Sequence, residues 1–330
     1  MRSRDSIPTT TGGCSRREFR SKRQERNLRY TPVALMIPRR RVFQLRLPSR
    51  ILELGERTLV MGVLNVTPDS FSDGGKFLEP ESAIERAFAI ERAGADLLDI
   101  GGESTRPGSA ETPASVELDR ILPVLKALHG RLKIPIAVDT RKASVAEIAV
   151  RAGAELLNDV SGLKSDPKIA EVAARHRVPL ILMHMRREPR TMQSGRFARD
   201  VMKDVLQALR RSVTVARKAG VAKSQIILDP GIGFGKSFAQ NYEILQKLPQ
   251  LAKLGYPLLV GTSRKGFLGA TLARDGKLAA PEERIWGTAA TVTASILNGA
   301  HIVRVHDVEE MVQVARVADC VVDLKRGPKN

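Results

Sequence analysis

The sequence predicts a (β/α)8 barrel, because eight short apolar runs alternate with eight longer amphipathic segments along most of the chain. The runs are almost continuously hydrophobic, which is typical of parallel strands buried on both faces. Several amphipathic segments end in a glycine just before the next run, as at Gly94, Gly153 and Gly299, where glycine can adopt the left-handed helix cap. An open, doubly wound sheet is the alternative topology for this alternation.

The predicted elements follow one another in strict order. A hydrophobic content of 42% with only 4% aromatic residues suits an α/β protein and supplies enough apolar surface for a large core. Residues 43–57, with Gly55 at a turn, predict a short hairpin or cap over the barrel floor. The predicted strands are 59–64, 97–100, 134–138, 156–158, 180–183, 226–228, 258–260 and 302–305. The predicted helices are 81–94, 115–129, 142–153, 166–177, 197–219, 238–254, 282–298 and 307–320.

A basic extension, predicted over residues 1–42, precedes a single barrel domain over residues 43–330. Residues 1–50 hold fourteen Lys and Arg against three Asp and Glu, so they carry +11 of the formal net charge of +18. The extension lacks apolar periodicity, which favours disorder. An organelle transit peptide, a nucleic-acid-binding tail, and translation from Met36 or Met61 are the alternatives, although a start at Met61 would cut into the first strand.

Composition also bears on where the protein works. No stretch approaches eighteen consecutive apolar residues, so no membrane span is expected, and the N-terminus lacks the pattern of a secretory signal. Cys14 and Cys320 lie near opposite ends and match no metal or redox spacing. We therefore expect a cytoplasmic protein with small-molecule substrates, with no membrane partner, and with nucleic acid at most at the basic N-terminus.

Polar and glycine-rich residues follow every predicted strand. In a (β/α)8 barrel the active site forms at the carboxyl ends of the strands and in the loops after them. A barrel with only a structural role would not need such residues at all eight exits. Seven of the strings, in chain order, are NVTPDSFSDGG at 65–75, DIGGESTRPG at 99–108, DTRK at 139–142, LNDVSG at 157–162, DPGIGFGK at 229–236, GTSRKGF at 261–267 and RVHDV at 304–308.

These seven strings resemble the motif set of the dihydropteroate synthases, in that family's order, and the resemblance covers about residues 50–325. It implies a transferase of folate biosynthesis. The implied reaction condenses 6-hydroxymethyl-7,8-dihydropterin pyrophosphate with p-aminobenzoate and gives 7,8-dihydropteroate and pyrophosphate. The resemblance further implies a homodimer formed by helices of the second half and a pocket of the kind that sulfonamides target.

Three short acceptor side chains, Asp139, Asn158 and Asp229, follow strands three, four and six. A pterin edge is rich in N–H donors, and carboxylates with an amide can satisfy such an edge once it is desolvated. Each Asp taken singly is equally well explained as a helix N-cap or a turn residue. The resemblance assigns these three to the pterin, with Lys265 and Phe234 beside it. It adds two further substrate contacts, Met183 and Gly261.

Arg304 and His306 lie two residues apart on strand eight and should therefore point the same way. With Asn65 across the barrel they could hold a diphosphate, for which Arg offers a fork of donors. Taken alone, each would more often be a surface or capping residue. The resemblance implies that Asn65 ligates Mg²⁺ shared with the pyrophosphate.

The loops after strands one and two, at 66–77 and 102–110, are rich in Gly, Ser and Pro, which is typical of mobile lids. Two ordinary loops are the alternative. The resemblance implies that both loops complete the p-aminobenzoate pocket. The residues it places there are Phe71, Thr105, Arg106, Pro107, Arg264 and Lys265.

The sequence leaves open what two further features do, a histidine and a glycine-rich segment. His184 follows strand five as either a general base or a structural histidine, and no metal spacing joins it to the other histidines. The glycines of 231–235 do not have the spacing of a dinucleotide fingerprint.

The expected mechanism is a dissociative displacement. Asp139 and Asp229 would be ionised to support positive charge on the pterin, while Mg²⁺, Arg304, His306 and backbone N–H groups would stabilise the departing charge. A methyltetrahydrofolate-dependent methyltransferase shares the barrel and the acceptor set but needs neither the diphosphate clamp nor the lids. A non-catalytic pterin-binding paralogue would have lost one of them.

Overall fold

A computed structural model describes residues 40–67, 80–104, 108–188, 190–192 and 196–327. An antiparallel hairpin of β1 (Phe43–Arg46) and β2 (Ile51–Leu54) precedes a sheet of eight parallel strands. These strands are β3 (Leu59–Asn65), β4 (Leu97–Gly101), β5 (Ile136–Asp139), β6 (Leu156–Asp159), β7 (Leu180–Met183), β8 (Ile226–Asp229), β9 (Leu259–Val260) and β10 (Ile302–Val305).

The eight strands form a nearly closed barrel. Hydrogen-bonded neighbours run from β8 down to β3 in sequence order and then through β10 to β9. The two ends of this sheet meet where Leu228 bridges Leu258 and where the Leu228 amide donates to Pro257 O at 3.0 Å. The predicted (β/α)8 barrel is thus confirmed. The doubly wound alternative is excluded because its strand order must reverse at a switch point.

Helices follow the strands where the sequence predicts them. The predicted helix over 238–254 is divided at Lys247, because Pro249 lies in the first turn of the next helix and lacks an amide donor. A six-residue helix over Gly266–Thr271 was too short to show a period in the sequence. The helices are α1 (Pro80–Arg92), α2 (Ala114–Leu128), α3 (Ala143–Arg151), α4 (Ile169–His176), α5 (Val201–Lys218), α6 (Phe238–Gln246), α7 (Leu248–Ala252), α8 (Gly266–Thr271), α9 (Ile285–Leu297) and α10 (Val308–Val322). None of these described helices has both the length and the apolar character that a membrane crossing requires.

The hairpin closes the floor of the barrel, as predicted. Leu45, Leu47 and Leu54 are buried and pack against the inward-facing residues of the lower barrel. Gly55 leaves β2 with φ +106°, and a Cβ there would lie 2.4 Å from Arg41 O. The lower barrel layer consists of Leu59, Met61, Leu97, Ala137, Leu156, Ile181, Ile227, Leu259 and Ile302. The floor is therefore a packed core, so substrates can enter only from the opposite rim.

The last residues of the predicted extension contact this floor. The Arg40 guanidinium donates to Asp319 on α10, to Thr58 Oγ1 and, at 2.9 Å, to Ala300 O. The ring of His301 lies 3.0 Å from Arg41 O through its Nε2. Residues 1–39 lie outside the described residues, so the role of the basic segment stays a prediction.

Candidate active site

The parallel strands bring the predicted acceptors to one rim. Because all eight strands run in the same direction, their carboxyl ends lie at the same end of the barrel. The register pairs Gly101 with Asp139, Asp139 with Asn158, and Met183 with Asp229. Residues from five consecutive strands, β4 to β8, therefore converge on one opening.

Arg304 lies at the centre of a buried polar network on this rim. Its Nε donates to Asp99 Oδ2 at 2.6 Å, and its Nη2 donates to Asp139 Oδ2 at 3.2 Å. Asn158 Nδ2 donates to the same Asp99 oxygen at 2.9 Å. The predicted Asp139, Asn158 and Arg304 are thus brought together on one side of the barrel.

Asp99 is the site residue that sequence reasoning missed. The sequence analysis gives it no role, yet it is fully buried and links Arg304 to Asn158. Its other oxygen, Oδ1, is buried without a hydrogen-bond partner among the described residues. A signal was present: a carboxylate inside the apolar run of 97–100 requires a buried cation.

Burial and the charge of Asp99 raise the pKa of Asp139 to about 8, although Arg304 acts in the opposite direction. Burial and the charge of Asp99 therefore favour the protonated Asp139 carboxyl, whereas Arg304 favours the ionised form that the sequence predicts. Asp99 and Asp139 share this one guanidinium.

Asp229, Phe234 and Lys265 form the second part of the site. Asp229 Oδ1 accepts the Gly231 amide at 2.7 Å, and burial raises the Asp229 pKa to about 6. Lys265 Nζ lies 4.1 Å from the centre of the Phe234 ring, a cation–π contact. Burial, followed by the charge of Arg304, lowers the Lys265 pKa to about 8. At neutral pH the carboxylate is ionised and the ammonium is charged.

Met183 and Gly261 line the same region. Met183 ends β7 and packs in a small buried cluster with Phe234, Val160, Met185 and Met192. Gly261 follows β9, and a Cβ there would lie 3.6 Å from Arg304 Cβ. The cluster provides an apolar wall next to the acceptors, which a flat heterocycle can contact.

His306 is held as a neutral ring. Burial, with the charges of Arg304, Arg264 and Lys265, lowers its pKa to about 3. Ser263 Oγ accepts the His306 backbone amide at 3.2 Å and lies 3.0 Å from its ring Nδ1. If the serine hydroxyl donates to Nδ1, the ring hydrogen lies on Nε2. A neutral His306 in this tautomer offers a hydrogen-bond donor from Nε2.

Arg264 is engaged within the protein. Its guanidinium makes a two-point ion pair with Asp307, with one contact, Nε to Oδ2, at 3.1 Å. Its backbone is left-handed at φ +58°, and Arg284 donates to its carbonyl at 2.7 Å. A contact between Arg264 and a substrate carboxylate stays a prediction. Phe71, Thr105, Arg106 and Pro107, the other predicted members of that pocket, lie outside the described residues.

A charged network holds the foot of the loop after β4. Glu103 is buried and accepts from Arg141 and Lys142, each at 2.8 Å, and from the Thr112 amide at 3.1 Å. Lys142 also donates to the fully buried Glu117 at 2.7 Å. The sequence analysis assigned no function to these residues. The network anchors the loop directly beside Asp139, since Arg141 and Lys142 follow it in the chain.

Comparison with known proteins agrees with this geometry. The profile of the family described as pterin binding enzyme matches residues 61–306. The chain belongs to this family of pterin-binding enzymes.

Individual relatives show to which enzymes within this family the chain is similar. Dihydropteroate synthase from Synechocystis sp. is 49% identical over 271 residues, which cover 82% of this chain and 92% of the relative. A structure of the Xanthomonas albilineans enzyme with 4-aminobenzoic acid is 41% identical, covers 86% of this chain and 99% of that one, and has a TM-score of 0.79. The Yersinia pestis enzyme, in a complex with a sulfonamide drug, is 42% identical over 86% of this chain and 99% of that one, with a TM-score of 0.77. Within the family the chain therefore belongs to the dihydropteroate synthases, which are transferases of folate synthesis.

Proposed function

We propose that this chain condenses 6-hydroxymethyl-7,8-dihydropterin pyrophosphate with p-aminobenzoate by a dissociative displacement at the pterin CH₂. The observation that carries the proposal is the convergence of acceptors and cations on one rim, with Asn158, Asp139 and Asp229 on one hand and Arg304 and Lys265 on the other. Acceptors suit the donor-rich pterin edge, whereas the cations suit its leaving group.

The acceptor edge is preorganised. A carboxylate can only accept, so Asp99 fixes the Asn158 amide with its nitrogen inward and its Oδ1 remaining as an acceptor. The Asp229 carboxylate is held by the Gly231 amide through Oδ1, which leaves Oδ2 for the ligand. The Phe234 ring and Met183 supply the apolar contact.

The chemical step needs no strong base, because an aromatic amine is neutral and nucleophilic at pH 7. The CH₂–O bond breaks and its electron pair leaves with pyrophosphate; the amine nitrogen then bonds to the CH₂ carbon and loses a proton to solvent. Ionised Asp229 supports the positive charge that develops on the pterin, and Arg304, Lys265 and the His306 Nε2–H stabilise the departing diphosphate. In this buried setting such charges act more strongly than they would in water.

Asn65 is the residue proposed to hold Mg²⁺. It ends β3, and a Cβ added at Gly101 would lie 3.8 Å from its amide oxygen and 4.0 Å from the Asp139 carboxyl carbon, so glycine keeps this space clear. No cluster of three or more His, Cys, Asp or Glu ligands occurs among the described residues. One amide oxygen suits Mg²⁺ that takes its other ligands from diphosphate and water. When bound, the ion would neutralise charge on the leaving group.

The p-aminobenzoate side, the oligomeric state and the location are part of the same proposal. We assign Phe71, Thr105, Arg106, Pro107 and Arg264 to the second substrate, on the family's motifs. A homodimer is supported by exposed apolar side chains on α9 and α10, where Trp286 is 79% and Val317 is 68% exposed. A cytoplasmic location is supported by Cys320, which is a free thiol among the described residues and which a reducing compartment would preserve.

The assay that tests the function mixes the purified full chain with 6-hydroxymethyl-7,8-dihydropterin pyrophosphate, p-aminobenzoate and Mg²⁺. We expect dihydropteroate and pyrophosphate in equal amounts, and loss of both when EDTA is added. Omitting p-aminobenzoate is the control for simple hydrolysis. Pyrophosphate release without dihydropteroate would contradict the proposal.

The pH dependence of kcat/KM for the pterin substrate should be bell-shaped, with limbs near pH 6 and pH 8. Below the first limb Asp229 takes up a proton and no longer supports the pterin cation. Above the second, Lys265 loses its proton and Asp139 ionises in the same range. Rates measured from pH 5 to 9 give both limbs. In Asp229→Asn the acid limb should disappear; an unchanged acid limb there would assign it to the substrate's phosphates instead.

A further inference from the structure

Lys236 is a buried lysine that the chemical step does not use. Burial lowers its pKa to about 7, while the charges of Asp229 and Asp204 act in the opposite direction. Its side chain follows β8, and the residue is only 2% exposed. Its Nζ has four acceptors: Gly231 O at 2.6 Å, Phe234 O at 3.1 Å, and both Nδ1 and O of His184 at 2.8 and 3.0 Å. Three of these four acceptors are backbone carbonyls, so the lysine side chain lies at the centre of a shell of main-chain oxygens.

The glycines of this loop give its backbone the conformation that places the carbonyls around Lys236. Gly231, Gly233 and Gly235 all have left-handed backbones, at φ +65°, +84° and +68°. A Cβ at Gly231 would lie 1.9 Å from His184 O, and one at Gly235 would lie 2.4 Å from Arg186 O. The backbone of 230–236 therefore packs so closely against the backbone of His184 and Arg186 that a side chain at Gly231 or Gly235 would clash with it.

His184 holds the ammonium from the other side. An ammonium can only donate, so His184 Nδ1 must accept and its ring hydrogen lies on Nε2, which faces Asp204 Oδ2 at 3.4 Å. Burial and the charge of Lys236 lower the His184 pKa to about 3, in agreement with a neutral ring. Asp204 lies on α5 and is partly exposed. The chain of contacts runs from Asp204 through His184 to Lys236.

The same loop carries two parts of the pterin site. The Gly231 amide donates to Asp229 Oδ1 while its carbonyl accepts from Lys236. Phe234 accepts from Lys236 through its carbonyl and places its ring against Lys265 Nζ. Lys236 thus contacts the carbonyls of Gly231, whose own amide holds Asp229, and of Phe234, whose ring contacts Lys265.

We propose that Lys236, held by His184, is an internal cation that shapes the loop 230–236 and thereby positions Asp229 and Phe234 for the pterin. Both are positioning residues, because neither lies among the groups assigned to the substrate. This inference rests on the proposed function and deepens it. It also gives His184 a role, which the sequence left open between a base and a structural residue.

The test compares three variants of the full chain in steady-state kinetics. Lys236→Met keeps the length of the side chain but removes its charge and donors. We expect KM for the pterin substrate to rise by about 10- to 100-fold, which is a common loss when a residue that orients a ligand-binding residue is removed. The change in KM for p-aminobenzoate should be smaller. His184→Ala should move the same KM in the same direction. Lys164→Met is the control, since Lys164 is an exposed lysine that also donates to a backbone carbonyl, Met185 O; it should keep the wild-type KM.

Chemical rescue distinguishes an internal cation from mere packing. Lys236→Ala leaves a cavity, and we expect added propylammonium, but not propanol, to restore part of the lost affinity, read as quenching of pterin fluorescence. Thermal unfolding of each variant shows whether it is folded. A wild-type pterin KM in folded Lys236→Met, an equal rise in Lys164→Met, or equal rescue by propanol would overturn the inference. If the wild-type chain itself forms no dihydropteroate, the proposed function fails instead, and the fluorescence titration still reports on the loop.

Discussion

Asp229→Asn is expected to lower turnover by at least about 100-fold, the loss seen when one preorganised electrostatic contact to a transition state is removed. Asparagine keeps an oxygen that can accept the Gly231 amide, so the local hydrogen bond of 2.7 Å can persist. The substitution removes the negative charge that the buried Asp229 carboxylate carries at neutral pH. In the proposed mechanism this charge supports the pterin cation. The effect should therefore appear in kcat more than in KM.

The stability of the same variant should move the other way. Burial raises the Asp229 pKa from 3.8 to about 6, so between these pH values the folded state binds the proton that the unfolded state has lost. Stability due to this group then falls as pH rises through that window, and above pH 6 the ionised carboxylate costs folding free energy. At pH 7 we expect Asp229→Asn to unfold at the same temperature as the wild type or at a higher one. A lower Tm would mean that the carboxylate serves the fold.

Lys265→Ala should produce a similar loss of turnover, about 100-fold or more, since it removes a cation facing the leaving group and the contact with Phe234. Lys265→Arg is the matched control, because it keeps the charge above pH 8, and we expect it to retain part of the activity and to extend the alkaline limb upwards. Steady-state rates at pH 7 and pH 9 measure both effects. Wild-type rates in Asp229→Asn and Lys265→Ala together would contradict the assigned roles.

The barrel and most of its rim could be predicted from the sequence because both depend on local pattern. Strand ends are marked by a change from apolar to polar residues, and parallel strands place all such ends on one rim, so Asp139, Asn158 and Asp229 could be expected to converge. The hairpin floor was visible for the same reason. Helix 238–254 was drawn as one element because Pro249 follows a helical pattern that continues on its far side.

Pairings across the barrel could not be predicted, because periodicity carries no information about partners distant in sequence. Asp99 contacts Arg304, which is 205 residues away, and Lys236 contacts His184, which is 52 away. The pKa of a buried group depends on those pairings, so the lowered pKa of His306 and the raised pKa of Asp139 also emerged only from the fold. The sequence shows the glycines of 231–235 as a pattern, but it does not show that this loop packs against His184 and surrounds the Lys236 ammonium.

Arg304→Met should cause the largest combined loss of activity and stability. It removes the cation that forms ion pairs with both Asp99 and Asp139 in the described network, while leaving both carboxyl groups buried. Breaking a buried ion pair by deleting one partner costs about 3–5 kcal/mol, because the remaining charge is uncompensated. Turnover should fall by at least about 100-fold, since the diphosphate loses the positive charge of Arg304. Urea unfolding and steady-state rates measure the two losses separately.

A second substitution separates the two roles of Arg304. In Arg304→Met with Asp99→Asn, the uncompensated charge is gone and asparagine can still accept from Asn158, so we expect most of the lost stability to return. Activity should not return, because nothing replaces the cation at the leaving group. If the double variant regained turnover together with stability, Arg304 would serve only to neutralise Asp99, and the diphosphate clamp would have to be assigned to Lys265 and His306 alone. If neither returned, the network would be needed for the barrel to close.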